Sequence, residues 1–184
     1  MGRDAPMGRE APMGREARMG RDARMGRDAR MGQPERVTVS GFALALDRRY
    51  QPETHMWVLA RGPGRVRVGM DLLGVETSGS LAQLSFVPAG TGLTAGLPFG
   101  QLEAAKFVGP LLSPVSGAVL AVNDAVVRDA GLVERDPYGA GWMIEASLGD
   151  ATAEPAGLLA DPAEVTAWFA AKVADYRLKG LIAQ

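Results

Sequence analysis

One lysine, Lys106, lies in the central part of the chain, within the segment Leu-Glu-Ala-Ala-Lys-Phe-Val-Gly-Pro at 102–110. The 184 residues include 20 basic ones, and only Lys106, Lys172 and Lys179 are lysines, so the rest are arginines. An ε-amine can be acylated, whereas a guanidinium remains protonated and delocalised and does not accept an acyl group. Because this sequence otherwise uses arginine for positive charge, Lys106 indicates a need for an amine. The simpler alternative is an ordinary solvated lysine.

Other groups that could perform catalysis are scarce. The chain has no cysteine and a single histidine, His55. Thiol nucleophiles, disulfides and thiolate zinc sites are therefore excluded, and a Ser-His-Asp relay would have to use His55. Asp71, Glu76 and Glu103 are carboxylates that could bind a hard cation, but no calcium-loop spacing brings them together. The sequence predicts a protein that is not an enzyme in its own right, and we assign no catalytic residue and no metal ligand.

Charge and hydropathy exclude several classes of partner. The formal net charge is −1, which argues against a binder of nucleic acid or of anionic membranes, because such proteins need an excess of basic charge. No apolar run approaches the roughly 20 residues that span a bilayer. The absence of cysteine is compatible with a reducing compartment. We expect a cytoplasmic protein with neither nucleic acid nor a membrane as partner.

The chain divides into three segments. Residues 1–36 repeat a six-residue unit that begins with Met-Gly, and their only apolar side chains are Met and Ala, so we predict a disordered tail. Residues 37–150 are predicted to form a β domain, with a hairpin connection at Arg61–Arg65. Short runs rich in β-branched or aromatic residues predict strands at 37–46, 55–60, 65–70, 81–87 and 117–122.

Helices are expected in two places. Asn123 is a candidate N-cap for a short helix whose length Gly131 limits. Residues 151–184 are expected to be a linker and a C-terminal amphipathic helix over 161–180, with Asp161 as N-cap and Gly180 beyond the end. A mostly apolar stripe at helical spacing contains Val165, Trp168, Phe169, Lys172, Val173 and Tyr176. We interpret this helix as a packing element.

Several separated motifs surround Lys106. They are His55, Trp57 and Val58; Glu103 and Lys106; Ser113 to Gly117; Val122 and Asn123; and Asp136 to Gly139 with Gly141 and Trp142. In these residues and in their spacing the chain resembles the lipoate-carrying H proteins of the glycine cleavage system. The resemblance extends over about 55–148.

The resemblance implies a fold, a cofactor and a function. The fold is mainly β (α+β), a lipoyl/biotinyl-type barrel-sandwich hybrid with peripheral helices and a C-terminal helix. Lys106, at the tip of a β-hairpin, would bear lipoate in amide linkage, and Glu103 would help a lipoylating enzyme to recognise the site. The protein would be a carrier that takes an aminomethyl group from glycine decarboxylase to aminomethyltransferase, after which dihydrolipoyl dehydrogenase reoxidises the dithiol.

Departures from the family pattern leave alternatives open. Family members usually have Glu directly after the motif histidine and Asp four residues after the lysine, where this chain has Met56 and Pro110. The usual Val-Lys-Ala is replaced by Ala105-Lys106-Phe107. One alternative is an H-like lipoate carrier of another pathway, such as sulfur-compound oxidation or lipoyl relay. The others are a biotinyl carrier, whose usual Met-Lys-Met is absent, or an unmodified binding module.

Overall fold

A computed structural model describes residues 36–149 and 157–183. In chain order its elements are β1 (Arg36–Val39), β2 (Phe42–Ala45), β3 (Arg49–Gln51), β4 (Met56–Ala60), β5 (Arg65–Met70), α1 (Leu72–Ser78), β6 (Leu81–Phe86), β7 (Gly92–Leu93), β8 (Pro98–Ala104), β9 (Val108–Leu112), β10 (Gly117–Val122), α2 (Asp124–Arg128), α3 (Gly131–Arg135), β11 (Ile144–Leu148) and α4 (Pro162–Leu178). The described part of the chain contains no helix long and apolar enough to cross a membrane.

Two antiparallel sheets form the body of the fold. A six-stranded sheet has the order β3-β4-β5-β11-β10-β7, and a three-stranded sheet has the order β6-β8-β9. Both sheets contribute to one cluster of buried side chains, the inter-sheet core, which includes Val68, Ile144, Phe99, Leu102 and Leu111. Burial of apolar side chains from both sheets is the driving force for this packing. The arrangement confirms the predicted mainly β, barrel-sandwich class with peripheral helices.

Local sequence signals placed several elements correctly. Strands β4, β5, β6 and β10 match the predicted runs to within one residue at either end. The predicted connection between β4 and β5 is a hairpin, in which the Arg61 amide donates to the Arg65 carbonyl over 2.8 Å. Gly62 and Gly64 supply its positive φ angles of 115° and 63°, which glycine adopts without steric cost.

Two predictions need correction. The run 37–46 is not one strand but the β1–β2 hairpin, in which Val39 pairs with Phe42. Its two-residue turn has φ of 50° at Ser40 and 93° at Gly41, the backbone that tight hairpins favour. The helix predicted after Asn123 is two short helices, α2 and α3, because Asp129 is extended with φ −146° and ψ 89°.

The C-terminal helix α4 forms as predicted. The Asp161 carboxylate accepts hydrogen bonds from the amides of Ala163 and Glu164 over 2.9 and 3.0 Å, which satisfies two amides that have no partner within the helix. Its buried face contributes to a second cluster, the helix core, which has members from α4, β2, β3, β4 and α1: Val165, Phe169, Val173, Leu44, Tyr50, Trp57 and Leu73.

The predicted segment boundaries lie mostly outside the described residues. The tail predicted to be disordered, 1–36, falls there except for Arg36, which begins β1. Residues 150–156, where the β domain was predicted to end and the linker to begin, also lie outside. The three-segment division therefore stays a prediction.

Candidate functional site

Lys106 lies in the turn that joins β8 to β9. The last pair of the hairpin ladder is Glu103 opposite Val108, and the Ala104 amide donates to the Phe107 carbonyl over 2.8 Å. Lys106 is exposed, and within residues 36–149 and 157–183 no carboxylate forms an ion pair with its ammonium. The hairpin thus presents an amine that is available for reaction.

The end of helix α1 fixes the backbone of this turn. The Lys106 amide donates to the Ser78 carbonyl and the Ala105 amide donates to the Ser80 carbonyl, both over 3.0 Å. Between them Gly79 has φ 74° and ψ −170°, and a Cβ built on it would lie 3.2 Å from Lys106 Cγ. Gly79 therefore leaves room for the lysine stem. Neither α1 nor this contact was predicted from the sequence; Asp71, the N-cap of α1, is the one local signal of the start of the helix.

A buried polar network holds α1 itself. Asp71, fully buried, caps the helix by accepting from the Gly74 amide over 2.8 Å. Its other oxygen lies 3.0 Å from His55 Nδ1, and His55 Nε2 lies 2.8 Å from the Tyr176 hydroxyl on α4. Burial, followed by the charge of Asp71, raises the pKa of the Tyr176 phenol. The Asp71 carboxylate, both ring nitrogens of His55 and the Tyr176 hydroxyl therefore all have a hydrogen-bond partner in this network.

This network changes the interpretation of His55 and α4. Both ring nitrogens of His55 are already bonded, and Nε2 faces a phenol rather than a serine hydroxyl, so the geometry is not that of a nucleophile relay. The helix predicted to serve only packing also supplies, through Tyr176, a polar partner. Glu76 and Glu103 are exposed, and in the described ranges no three His, Asp or Glu side chains are grouped to hold a metal ion.

A cleft of about 350 Å³ opens beside Lys106. The β3–β4 turn, β5, α1 and the β8–β9 hairpin contribute its lining, which consists of Glu53, Thr54, His55, Met56, Met70, Gly74, Thr77, Ser78, Lys106, Phe107, Pro110, Leu111 and Leu112. Met56 and Pro110, the two positions where the family usually has acids, both line it. The lining mixes apolar and polar side chains, and Glu53 from the turn and Lys106 from the hairpin are its acidic and basic members.

These features fit an amide-linked apolar arm on Lys106. The amine is exposed at a rigid turn, and the adjoining cleft offers thioether, leucine and proline surface to an aliphatic chain and a dithiolane ring. Glu103 is exposed on the same hairpin, three residues before the lysine, which is compatible with its predicted contact with a modifying enzyme. Its role stays a prediction.

Two further motif residues, Asn123 and Trp57, make hydrogen bonds that hold the fold together. The Asn123 side chain caps α2 by accepting from the Ala125 amide over 3.1 Å, and it donates to the Ala140 and Trp142 carbonyls over 2.8 and 2.6 Å. The Trp57 indole donates to the carbonyls of Met70 and Pro137 over 3.0 and 3.1 Å. These bonds join segments that are distant in sequence, so the motifs around the lysine specify the scaffold that presents it.

Comparison with known proteins agrees with this geometry. Residues 48–169 match the model of the glycine cleavage H-protein family. A glycine cleavage system H protein of Mycobacterium avium (strain 104) is 40% identical over 107 residues, which are 58% of this chain and 80% of the relative. The one from Corynebacterium jeikeium (strain K411) is 38% identical over 113 residues, 59% of this chain and 87% of the relative.

A solved structure shows the same likeness. The crystal structure of a glycine cleavage system H protein from Mycobacterium marinum superposes with a TM-score of 0.53 at 34% identity, covering 58% of this chain and 90% of that one. The family match includes Lys106, the hairpin that carries it and the first eight residues of α4. The chain therefore belongs to the glycine cleavage H-protein family.

Proposed function

We propose that this chain is a lipoate-bearing carrier of the glycine cleavage system, with lipoate attached through an amide to Lys106. The observation that carries the proposal is an exposed amine on a hydrogen-bonded hairpin turn beside a partly apolar cleft, in a chain of the H-protein family; within the described residues this amine has no ion pair. Bound lipoate would supply a dithiolane, the sulfur chemistry that a cysteine-free chain lacks.

The residues around Lys106 position the modification site. The β8–β9 ladder and the bonds to Ser78 and Ser80 hold the turn, so a lipoylating enzyme meets the amine in a fixed place. Glu103, exposed on β8, is the proposed recognition contact for that enzyme. Once attached, the long side chain is tethered at one end, which keeps its reactive end at high effective concentration near a docked partner.

The carrier itself performs no catalytic step. It accepts an aminomethyl group at glycine decarboxylase and delivers that group to aminomethyltransferase, and dihydrolipoyl dehydrogenase restores the disulfide. The family match supports these partners over a biotinyl carrier, an unmodified binding module or a lipoate carrier of another pathway. The cysteine-free composition supports a cytoplasmic location.

The test compares two lysine replacements after co-expression with a lipoate ligase. The wild-type protein and Lys172→Arg are each expected to gain the mass of one lipoyl amide. Lys106→Arg should gain no such mass, because a guanidinium cannot be acylated. The lipoylated protein and Lys172→Arg should then support glycine–bicarbonate exchange by glycine decarboxylase, whereas Lys106→Arg should not. A lipoyl increment that survives in Lys106→Arg, or a fully lipoylated protein that supports no exchange, contradicts the proposal.

A further inference from the structure

His55, at the end of the β3–β4 turn, has an unusual backbone conformation. Its φ is 58°, a value that residues other than glycine rarely adopt and that persists only where surrounding contacts hold it. Two backbone bonds do so here. The His55 amide donates to the Gln51 carbonyl over 3.1 Å, and the Asp71 amide donates to the His55 carbonyl over 2.8 Å. The side chain of His55 therefore leaves the turn in a fixed direction, where it meets both α1 and α4.

Helix α1 begins directly against His55. The Asp71 carboxylate caps the helix through the Gly74 amide over 2.8 Å, and its other oxygen lies 3.0 Å from His55 Nδ1. Gly74 has no side chain, and a Cβ built on it would lie 2.7 Å from His55 Cβ, well inside the ordinary contact distance between carbon atoms. The backbone of the first turn of α1 therefore packs against the histidine, and the two cannot shift independently.

The other end of α1 holds the turn of Lys106. The Lys106 amide donates to the Ser78 carbonyl and the Ala105 amide donates to the Ser80 carbonyl, both over 3.0 Å. Helix α1 has seven residues, a length of about 10 Å, and a packed helix of this kind is a rigid element that carries a displacement from one end to the other. A shift of the first turn of α1 is therefore transmitted to the backbone of Lys106.

Tyr176 supplies the remaining contact of the His55 side chain. It is half-buried on α4, its hydroxyl lies 2.8 Å from His55 Nε2, and the centroids of the two rings are 5.6 Å apart. Loss of this hydroxyl would leave the imidazole nitrogen without its partner in a place shielded from water, which is unfavourable. Tyr176 lies beyond residues 48–169, which match the family, so the family match does not account for the contact.

We propose that Tyr176 is a positioning residue for Lys106 and that it acts through His55 and helix α1. The phenol hydroxyl holds the imidazole, the imidazole holds the first turn of α1, and the end of α1 holds the backbone of the lysine turn. The C-terminal helix thereby helps to determine where the amine is presented. The consequence for acylation rests on the proposed function, whereas the coupling itself is a property of the unmodified chain.

Amide hydrogen exchange in the unmodified, full-length protein measures this coupling without lipoate or a partner enzyme. Tyr176→Phe keeps the ring and removes only the hydroxyl. We expect the Lys106 and Ala105 amides to exchange about two- to tenfold faster in this variant, because loss of one hydrogen bond lowers the free energy of local opening. The kcat/KM for lipoylation by a lipoate ligase should fall about two- to fivefold, since a small misplacement of a reacting group slows its reaction.

Two further variants test the route. Thr166→Val is the matched control, because it removes a different hydroxyl of α4, one that donates to the Pro162 carbonyl over 2.7 Å. Its exchange and lipoylation rates should equal those of the wild type. His55→Asn keeps a residue that tolerates positive φ but shortens the side chain that bonds to Tyr176. In that background, addition of Tyr176→Phe should change neither rate further, as expected for coupled residues.

The inference is overturned by Lys106 and Ala105 amides that exchange equally fast in Tyr176→Phe and the wild type. Equal lipoylation rates in these two proteins, or an effect of Tyr176→Phe that persists undiminished in the His55→Asn background, also overturn it. Failure of the proposed function would appear differently, as a missing lipoyl increment at Lys106 in the wild type itself, and it would leave the exchange measurement unaffected.

Discussion

Replacement of Gly79 by alanine tests whether the end of α1 positions Lys106, the proposed site of lipoylation. Gly79 has φ 74° and ψ −170°, a region that is essentially restricted to glycine, and occupation of it by another residue costs about 1–3 kcal/mol. For a folded domain of roughly 150 residues each kcal/mol lowers Tm by about 2–4 °C. We therefore expect Gly79→Ala to unfold about 2–12 °C below the wild type, measured by thermal denaturation.

The added methyl group also meets the lysine. Its Cβ would lie 3.2 Å from Lys106 Cγ and 3.4 Å from Ala105 Cβ, closer than relaxed carbon–carbon contacts of about 3.5–4.0 Å. Displacement of the stem by a few tenths of an ångström should lower kcat/KM for lipoylation by about three- to tenfold, since misplacement by about 1 Å costs on the order of 100-fold. The assay is the initial rate of lipoylation by a lipoate ligase, at a temperature where every variant is folded.

Gly96→Ala is the matched control. Gly96 also has a positive φ, 81°, but a Cβ there would meet nothing within 4 Å. It should lose stability through backbone strain while its lipoylation rate stays at the wild-type value. Equal lipoylation rates in the two alanine variants would refute the positioning role of Gly79, and an unchanged Tm in Gly79→Ala would refute the argument from strain.

Two further predictions concern the scaffold. Phe169→Ala, which empties a fully buried position of the helix core, should lower the free energy of unfolding by about 3–5 kcal/mol in urea titration. Leu178→Ala, at a side chain 87% exposed, should change that free energy by less than about 0.5 kcal/mol. Similar losses in both variants would contradict the assignment of the buried face of α4. Burial opposes ionisation of Glu145, but the Arg65 and Arg67 guanidinium groups outweigh it and lower its pKa. Because that pKa is lower in the folded state, the ion pairs stabilise the protein at neutral pH, and this contribution is lost as the pH falls through the lowered folded-state pKa. The difference in unfolding free energy between the wild type and Glu145→Gln should therefore vanish in acid. A difference that persists in acid would contradict the argument.

Local sequence patterns correctly predicted those helices, strands and turns that depend on residues close together in the chain. The caps of α4, the glycines of the β4–β5 hairpin and the short β-branched runs all act over a few residues, so the sequence predicted those elements. The β1–β2 hairpin was missed because apolar residues continue on both sides of Ser40-Gly41, and the turn reverses the chain without interrupting that pattern. Helix α1 was missed because it has only seven residues, with too few turns to show a helical period.

The sequence by itself made Lys106 the candidate for acylation, because the capacity for acylation belongs to the amine and lysine is scarce in this chain. It also determined the family, through motifs that need no coordinates to be read. Only the tertiary structure decided what surrounds the lysine. Tyr176 reaches His55 across 121 residues of sequence, and the cleft brings Glu53 and Thr54 to the same cavity as Lys106. Such contacts arise from the packing of sheets and helices around the buried cores, so no local pattern of residues encodes them.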